Sequence, residues 1–405
     1  LNLELYIAKR LTFRSKRTFS KTIVFIAIFA IALSIAIMII SISIVKGYQK
    51  QIKEKLTGFA SHIQVTRTKL VYTYESEPVD YSQNYVRTIQ KHPGFDHIQV
   101  FANKPGIIST ASDIEGIILK GVSADFKPDF LKKMMVSGKI PDFSRSSAEN
   151  SIVISEFIAK RLQVKTGDPL IVYFVQNPPR TRKFTISGIY STGIEELDKV
   201  FAICDIRHIQ KLNGWQENQI GGYEIFINDF KQIQFLNEIS RAAAPFDQDS
   251  KMITEIYPQI FDWLNLLNVN VRVILILMIL VAVVNMTTAL LVIIVEKTSM
   301  IAILKSLGAR NFSVSKIFIY HSAMLISAGI LIGNIFAFTL LFLQYQFHFF
   351  TLPPEHYYLS YVPVMFTWDL FIILNVLSFL LCTLAMLMPA AFVSRISPIR
   401  ALRFQ

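Results

Sequence analysis

The sequence predicts an α-helical membrane protein with four transmembrane helices and a large α+β extracytoplasmic domain between the first and second of them. Three observations predict it. Apolar runs near 22–45, 271–295, 316–345 and 368–393 are each about 20 residues or longer, enough to cross a hydrocarbon core of roughly 30 Å as a helix. Between the first two runs lie about 220 residues, room for one or two folded subdomains, and they carry short strand-like segments. Finally, Lys and Arg are distributed unevenly around the apolar runs.

The elements follow in chain order. Residues 1–21 form a cytoplasmic segment with Lys9, Arg10, Arg14, Lys16, Arg17 and Lys21 against one acid, Glu4. Residues 22–45, "TIVFIAIFAIALSIAIMIISISIV", form the first transmembrane helix. This run exceeds the roughly 7–15 apolar residues of a secretory signal and is followed by "KGYQKQIKEKL", with no small-x-small cleavage site, so it is expected to stay as an anchor. Residues 46–269 form the extracytoplasmic domain with helical stalks at both ends, 46–60 and 251–270. The second stalk carries Ile253, Ile256, Ile260, Trp263, Leu264 and Leu267 at helical spacing, with a bend at Pro258.

Within that domain "HIQVT", "EGIILKGV", "SIVIS", "PLIVYFV", "KFTISGIY", "KVFAI" and "YEIFIN" read as strands. Helices are interposed: "SEFIAKRLQV" capped by Ser155, "DIRHIQKLN" after Asp205, and "NDFKQIQFLNEISRAAA" after Asn228. Such alternation favours α+β layers over a sandwich. Residues 270–295 form the second transmembrane helix, 296–315 a cytoplasmic helical loop and 316–345 the third span. An outer loop at 346–367, the fourth span at 368–393 and a cytoplasmic tail at 394–405 complete the chain.

Charge sets the orientation. The loop at 346–367 has no Lys or Arg, whereas 296–316 carries Lys297, Lys305, Arg310 and Lys316, and the tail Arg395, Arg400 and Arg403. Positive residues stay inside, which puts both termini and residues 296–316 in the cytoplasm. The three cytoplasmic segments hold 13 basic and 2 acidic residues, the rest of the chain 28 and 27. The net charge of +12 therefore reflects topology, and no basic patch is left to argue for nucleic acid.

Chemistry-bearing motifs are scarce. Gly138-Lys139 lacks the rest of a phosphate-binding loop, and H-E-x-x-H, C-x-x-C and G-x-S-x-G do not occur. His92 and His97 flank the turn "PGFD" and read as surface residues. Cys204 and Cys382 fall on an outer strand and in the last span, so no disulfide framework is expected. The spans essentially lack acids, against a proton relay. Their polar residues, Ser34, Ser41, Ser43, Asn285, Thr287, Thr288, His321, Asn334 and Asn375, read mainly as packing groups, and Gly329 with Gly333 as a close helix contact. Neither a catalytic nor a metal site is expected.

In 296–310, Met300, Ile303, Leu304 and Leu307 form one apolar stripe, and Gly308 is placed to end the helix in the left-handed conformation. Asn311 or Ser313 is placed to cap the next span. Such a helix either lies in the lipid interface or inserts into a groove on a cytosolic partner; charge and periodicity do not choose.

The segment "EKTSMIAILKSLGARNFSVSKIF" resembles the coupling helix of the type VII ABC transporter permeases, the superfamily that includes MacB, FtsX, LolC and LolE. The closing "PAAFVSRISPIRALRF" is similar to its C-terminal signature, and "SIVISEFIAKRLQVKTGDPLIVYF" to a segment of its outer domain. "KFTISGIYSTGIEELDKVFA", "LPPEHYYLSYVPV" and "LELYIAKRLTFRSK" resemble the LolC/LolE branch. The likeness is strong over 1–60, 150–205 and 270–405, and weak over 70–145.

The resemblance implies a bacterial inner-membrane permease that extracts lipoproteins for outer-membrane sorting. A separate ATPase of the LolD type, holding the ATP and Mg, would drive it, and this chain would need no cofactor. Glu296, Lys297, Met300, Ile303, Leu304, Leu307 and Gly308 would couple to that ATPase. A second permease chain, identical or related, would help enclose a lipid- and lipoprotein-facing cavity lined by Ile37, Ile40, Ser41, Ile44 and Asn285. Asn177, Pro178, Pro179 and Arg180 would tip a hairpin that docks a periplasmic carrier of the LolA type, or form a plain hairpin turn. The alternatives are an FtsX-like regulator of periplasmic cell-wall hydrolases and a MacB-type exporter, which normally carries a fused ATPase.

Overall fold

The computed structural model describes residues 3–13, 18–69, 73–109, 113–144, 150–353 and 357–392. The predicted tail at 394–405 and part of the predicted N-terminal segment lie outside the described residues. The chain divides into two compact units: residues up to 49, 263–351 and from 361 onward in one, and 50–262 with 352–360 in the other.

The first unit is helical. It holds α1 (Leu3–Phe13), most of the apolar length of α2 (Thr18–Ala60) and of α10 (Pro258–Glu296), and α11 (Thr298–Ser306). It is completed by α12 (Asn311–Phe347), α13 (Trp368–Ala385) and α14 (Leu387–Phe392). Four of these stretches are long and apolar enough to span a membrane. At 43 residues α2 extends about 65 Å, twice what a hydrocarbon core needs. It continues past residue 45 because nothing there breaks it, and Lys50 and Glu54 add an i,i+4 pair at 3.8 Å.

The apolar core of this unit joins Ile31, Ile35 and Met38 of α2 to Met286 and Leu290 of α10 and to Phe318 and Leu325 of α12. The two glycines of α12 set its closest approach. A Cβ at Gly329 would stand 2.7 Å from Ile31 Cγ2, and one at Gly333 only 2.5 Å from the Ala32 carbonyl oxygen. Bare backbone on α12 thus lets α2 lie directly against it, as small-xxx-small pairs do in membranes. Several polar residues of the spans bond within their own helix: Thr288 Oγ1 donates to Val284 O and Asn375 Nδ2 to Phe371 O. Within the expected N-terminal segment a helix forms, α1, which packs along α12 with Thr12 Oγ1 2.7 Å from His321 Nδ1.

The second unit is built on one mixed sheet of ten strands. They are β1 (Ile63–Arg67), β3 (Phe95–Ser109), β4 (Ile114–Val122), β5 (Met135–Gly138), β6 (Ser151–Ser155), β7 (Pro169–Phe174), β8 (Arg180–Tyr190), β9 (Phe201–Asp205), β11 (Gly222–Ile227) and β12 (Gln248–Met252). The order is β12-β1-β11-β3-β4-β9-β6-β8-β5, with β7 bridging β3 and β8. A separate pair joins β2 (Val79–Asp80) to β10 (Gln219–Ile220). The β4–β9 and β6–β8 pairs are parallel, while β1–β12, β1–β11, β11–β3 and β3–β4 are antiparallel.

The seven expected strands all form. The longest, β3, was not expected, because "ANKPGIIS" carries Pro and Gly in its middle, which weaken a strand signal. Gly106 is needed there: a Cβ would stand 2.7 Å from Val172 Cγ1 on the neighbouring β7.

Helices α3 (Gln83–Gln90), α4 (Asp129–Lys133), α5 (Glu156–Leu162), α6 (Glu195–Asp198), α7 (Ile206–Asn213), α8 (Ile233–Ala243) and α9 (Ile253–Ile256) complete this unit. Ser155 caps α5 through Ile158 N at 3.1 Å, and Asp205 caps α7 through Arg207 N at 2.9 Å. The third expected cap shifts by one residue: Asp229, not Asn228, accepts from Lys231 N and starts a short 3₁₀ turn before α8. The expected bent helix over 251–270 is corrected too. Lys251 and Met252 close β12, α9 follows, and a new helix begins at Pro258, where a missing N–H costs nothing. Cys204 and Cys382 are both free and buried.

The end of α2 is fixed in the sheet by a buried ion pair. Lys120 of β4 donates to Glu224 of β11 at 2.7 Å and to the Phe59 carbonyl, one of the last of α2. Glu224 also accepts from Gln99 Nε2 at 2.9 Å and from Gln64 Nε2 at 3.3 Å. A cation on the carbonyl end of a helix meets the negative end of its dipole. Ser61, in the left-handed region at φ 61°, then turns the chain into β1.

Candidate functional site

Three separate surfaces carry the residues singled out from the sequence. The first is α11. Glu296 closes α10 and Lys297 forms the hinge, with its Nζ 3.1 Å from Glu296 Oε1. The helix packs inward through Ile301 and Ala302, both fully buried, with Met300 and Leu304 against the same core. Ile303 and Leu307 face outward, 53% and 80% exposed. The expected single stripe is therefore divided, and two of its four residues are consumed by packing within the unit. A helix nine residues long next to a bundle can bury about half its circumference, so its neighbours decide which part.

Gly308 is left-handed at φ +90°, and Ala309 N donates to Leu304 O at 3.0 Å, which closes the last turn. The expected side-chain cap on α12 is not made. Asn311 is already its first helical residue, and Val314 N bonds the Arg310 carbonyl.

The second surface is the hairpin of β7 and β8. Phe174 pairs with Arg180, so the connection comprises residues 175–179. Asn177, Pro178 and Pro179 stand exposed in it, and the Asn177–Pro178 peptide is cis. Arg180 is not at the tip. It starts β8, and its Nη1 donates to Lys211 O at 3.1 Å and Leu212 O at 3.3 Å, which caps the C-terminal end of α7. Gln176 Nε2 reaches the same Leu212 carbonyl at 3.3 Å.

An open groove of about 600 Å³ runs beside this turn, bordered by Trp215, Glu75, Glu77, Lys104 and Arg180. Sequence reasoning missed the apolar residues Ile171 and Tyr173, exposed along the outer face of β7, and Val175 just past its end, while Leu170, Val172 and Phe174 are buried. In "PLIVYFV" every position after the proline is apolar, so alternation gives no hint of which face is open.

The third surface is one face of α2. Ile37, Ile40, Ser41 and Ile44 follow helical spacing and are all half-buried. Their neighbours Met38, Ile39 and Ser43 turn into the bundle. Asn285 lies on the exposed face of α10 with Val281, Val284 and Thr288. Among the described residues no group of three or more His, Cys, Asp or Glu is arranged to hold a metal.

These features define a class. The family described as FtsX-like permease C-terminal matches residues 272–398, covering the last three long helices and α11. The MacB-like periplasmic core domain matches residues 24–226, half of the chain. The particular family follows from full-length likeness. The LolC lipoprotein-releasing system transmembrane protein of Haemophilus influenzae is 27% identical over 416 residues, covering 100% of this chain and 99% of that one. The LolE protein of the same organism is 22% identical over 405 residues, covering 92% of each. Among solved structures, the periplasmic region of MacB from Actinobacillus actinomycetemcomitans is 13% identical, with a TM-score of 0.34 over 49% of this chain and 91% of that one. This chain belongs to the LolC/LolE family of type VII ABC permeases and is a multi-pass inner-membrane protein.

Proposed function

We propose that this chain is the permease subunit that moves lipoproteins out of the inner membrane toward a periplasmic carrier. The observation that carries the reading is likeness over the entire length to proteins named for lipoprotein release. In this reading both termini and α11 are cytoplasmic, and the sheet domain is periplasmic. The chain itself catalyses no reaction; ATP and Mg sit on a separate LolD-like ATPase, which receives Ile303 of α11 and Leu307 at its C-terminal end in an apolar groove. Two outward apolar residues one turn apart suit such a helix-in-groove contact.

A second permease chain, a copy or a relative, faces this one across the lipid cavity. Ile37, Ile40, Ser41 and Ile44 offer the cargo's acyl chains a half-open apolar wall, where each buried CH₂ is worth roughly 0.8 kcal/mol. Asn285 lies apart from them on α10, and its role at the cavity rests on the second chain. The carrier docks at the hairpin through Asn177, Pro178 and Pro179. Arg180 supports the turn from behind by capping α7, and the exposed Ile171, Tyr173 and Val175 widen the contact.

The test is a photocrosslinking amino acid at Ser41 in inner-membrane vesicles. A di- or triacylated lipoprotein should be trapped, and ATP with the carrier present should diminish the adduct. Capture of phospholipid alone, with a cell-wall hydrolase crosslinked to the outer domain, would favour the FtsX-like regulator.

A further inference from the structure

The connection between α12 and α13 contributes one unexplained group to the outer domain. Tyr358 belongs to the same compact unit as the sheet and has φ +59°, a left-handed backbone that a bulky residue adopts only when its surroundings impose it. The surroundings are three. Its carbonyl accepts from Lys55 Nζ of α2 at 2.9 Å, and the same ammonium donates to the Thr192 carbonyl. Its hydroxyl donates to Glu196 Oε1 of α6 at 2.9 Å. Leu359, next in the chain, is buried.

The Thr192 turn is itself held rigidly. The buried Asp198 carboxylate accepts from Thr192 N at 3.1 Å, Thr192 Oγ1 at 2.8 Å and Gly193 N at 2.9 Å. Gly193 has φ +72°, and a Cβ there would stand 2.9 Å from Lys55 Nζ and 3.1 Å from Tyr358 O, so only glycine leaves room for the bridge. Burial lowers the pKa of Lys55, against which Asp198 acts to raise it. Two stretches far apart in sequence, "STGIEELD" and "YYLS", thus meet on one lysine of the long helix.

We propose that Lys55 is a latch that makes the segment around Tyr358 part of the outer domain's rigid body, so that movement of the domain acts on α12 and α13 through Tyr358 and not only on α2 and α10. Lys55 is a positioning residue: it touches no cargo and acts by holding Tyr358. The proposal rests on the transport reading for its functional consequence, but the latch is measurable without it.

Two measurements on the full-length chain, in membranes with its partner ATPase, decide. Chymotrypsin cleavage after Tyr357 and Tyr358 should be at least tenfold faster in Lys55→Met than in the parent; equal rates overturn the latch. In the second, Lys55→Met should lower ATP-dependent lipoprotein release at least tenfold while ATP hydrolysis stays within twofold. In the triple variant Lys55→Met, Glu196→Cys, Tyr358→Cys, a short bismaleimide joining the two cysteines should restore release to within threefold of the parent. Bridging that fails to restore it, or that stops release when Lys55 is present, overturns the proposal. If the parent complex releases no lipoprotein, the transport reading has failed, and the cleavage rates still judge the latch.

Discussion

Ile301 and Ile303 lie two residues apart on α11 and face opposite ways: Ile301 is fully buried in the helical unit and Ile303 is 53% exposed. A substitution at one therefore tests the fold of the unit, and at the other its docking.

Ile303→Asp and Leu307→Asp should each detach the ATPase with little effect on membrane insertion. A carboxylate forced into an apolar groove costs several kcal/mol, which is decades of affinity. Ile301→Asp should lower the amount of folded protein instead. The measurement is co-purification of the ATPase from mild detergent, normalised to permease; unchanged recovery with both outward variants would place α11 in the lipid interface.

Gly333→Leu should separate α2 from α12. Even a methyl group would meet the Ala32 carbonyl at 2.5 Å, and overpacking of this kind costs about 1–3 kcal/mol or more. Gly308→Ala tests a different requirement, since nothing lies within 4 Å of a Cβ there and only the φ of +90° resists it. Thermal unfolding in detergent should rank Gly333→Leu well below Gly308→Ala.

Lys120→Met leaves the Glu224 carboxylate buried without its cation, at a cost of about 3–5 kcal/mol. Adding Glu224→Gln should recover much of that loss, because it removes the buried charge and the amide oxygen can still accept from Gln99 Nε2. Unfolding midpoints of the two variants decide; a double variant no better than the single one would mean that the pair does not act as a unit.

His62 supplies a pH dependence. Burial lowers its pKa to about 4, against the opposing influence of Asp96, and its Nδ1 accepts from Ile227 N at 3.3 Å. The unfolded chain binds that proton near pH 6.5, so stability is full above 6.5 and falls as pH drops toward 4, by up to about 3 kcal/mol. Asp125 and Asp198, both raised by burial, act in the opposite direction, since the folded state protonates them first. Unfolding midpoints from pH 7 to 4.5 should therefore fall less steeply in His62→Gln than in the parent.

Much of the architecture is determined by the sequence alone, because its signals are local. Twenty apolar residues in a row meet the length of a bilayer whatever their neighbours do, and the seven strand segments carry their own β-branched and aromatic signature. Asp205 and Ser155 announce the helices they cap in the same way. Only the tertiary structure decided which faces are used. It consumed Met300 and Leu304 in packing and left Ile303 and Leu307 outward, and it turned Arg180 from a hairpin tip into the cap of α7. It also threaded Pro105 and Gly106 through the longest strand. These outcomes depend on neighbours supplied from elsewhere in the chain, as does the meeting of Lys55, Thr192 and Tyr358, whose hydrogen bonds join positions 137 and 303 residues apart. Periodicity records how an element alternates; it holds no information about what a distant segment will place against it.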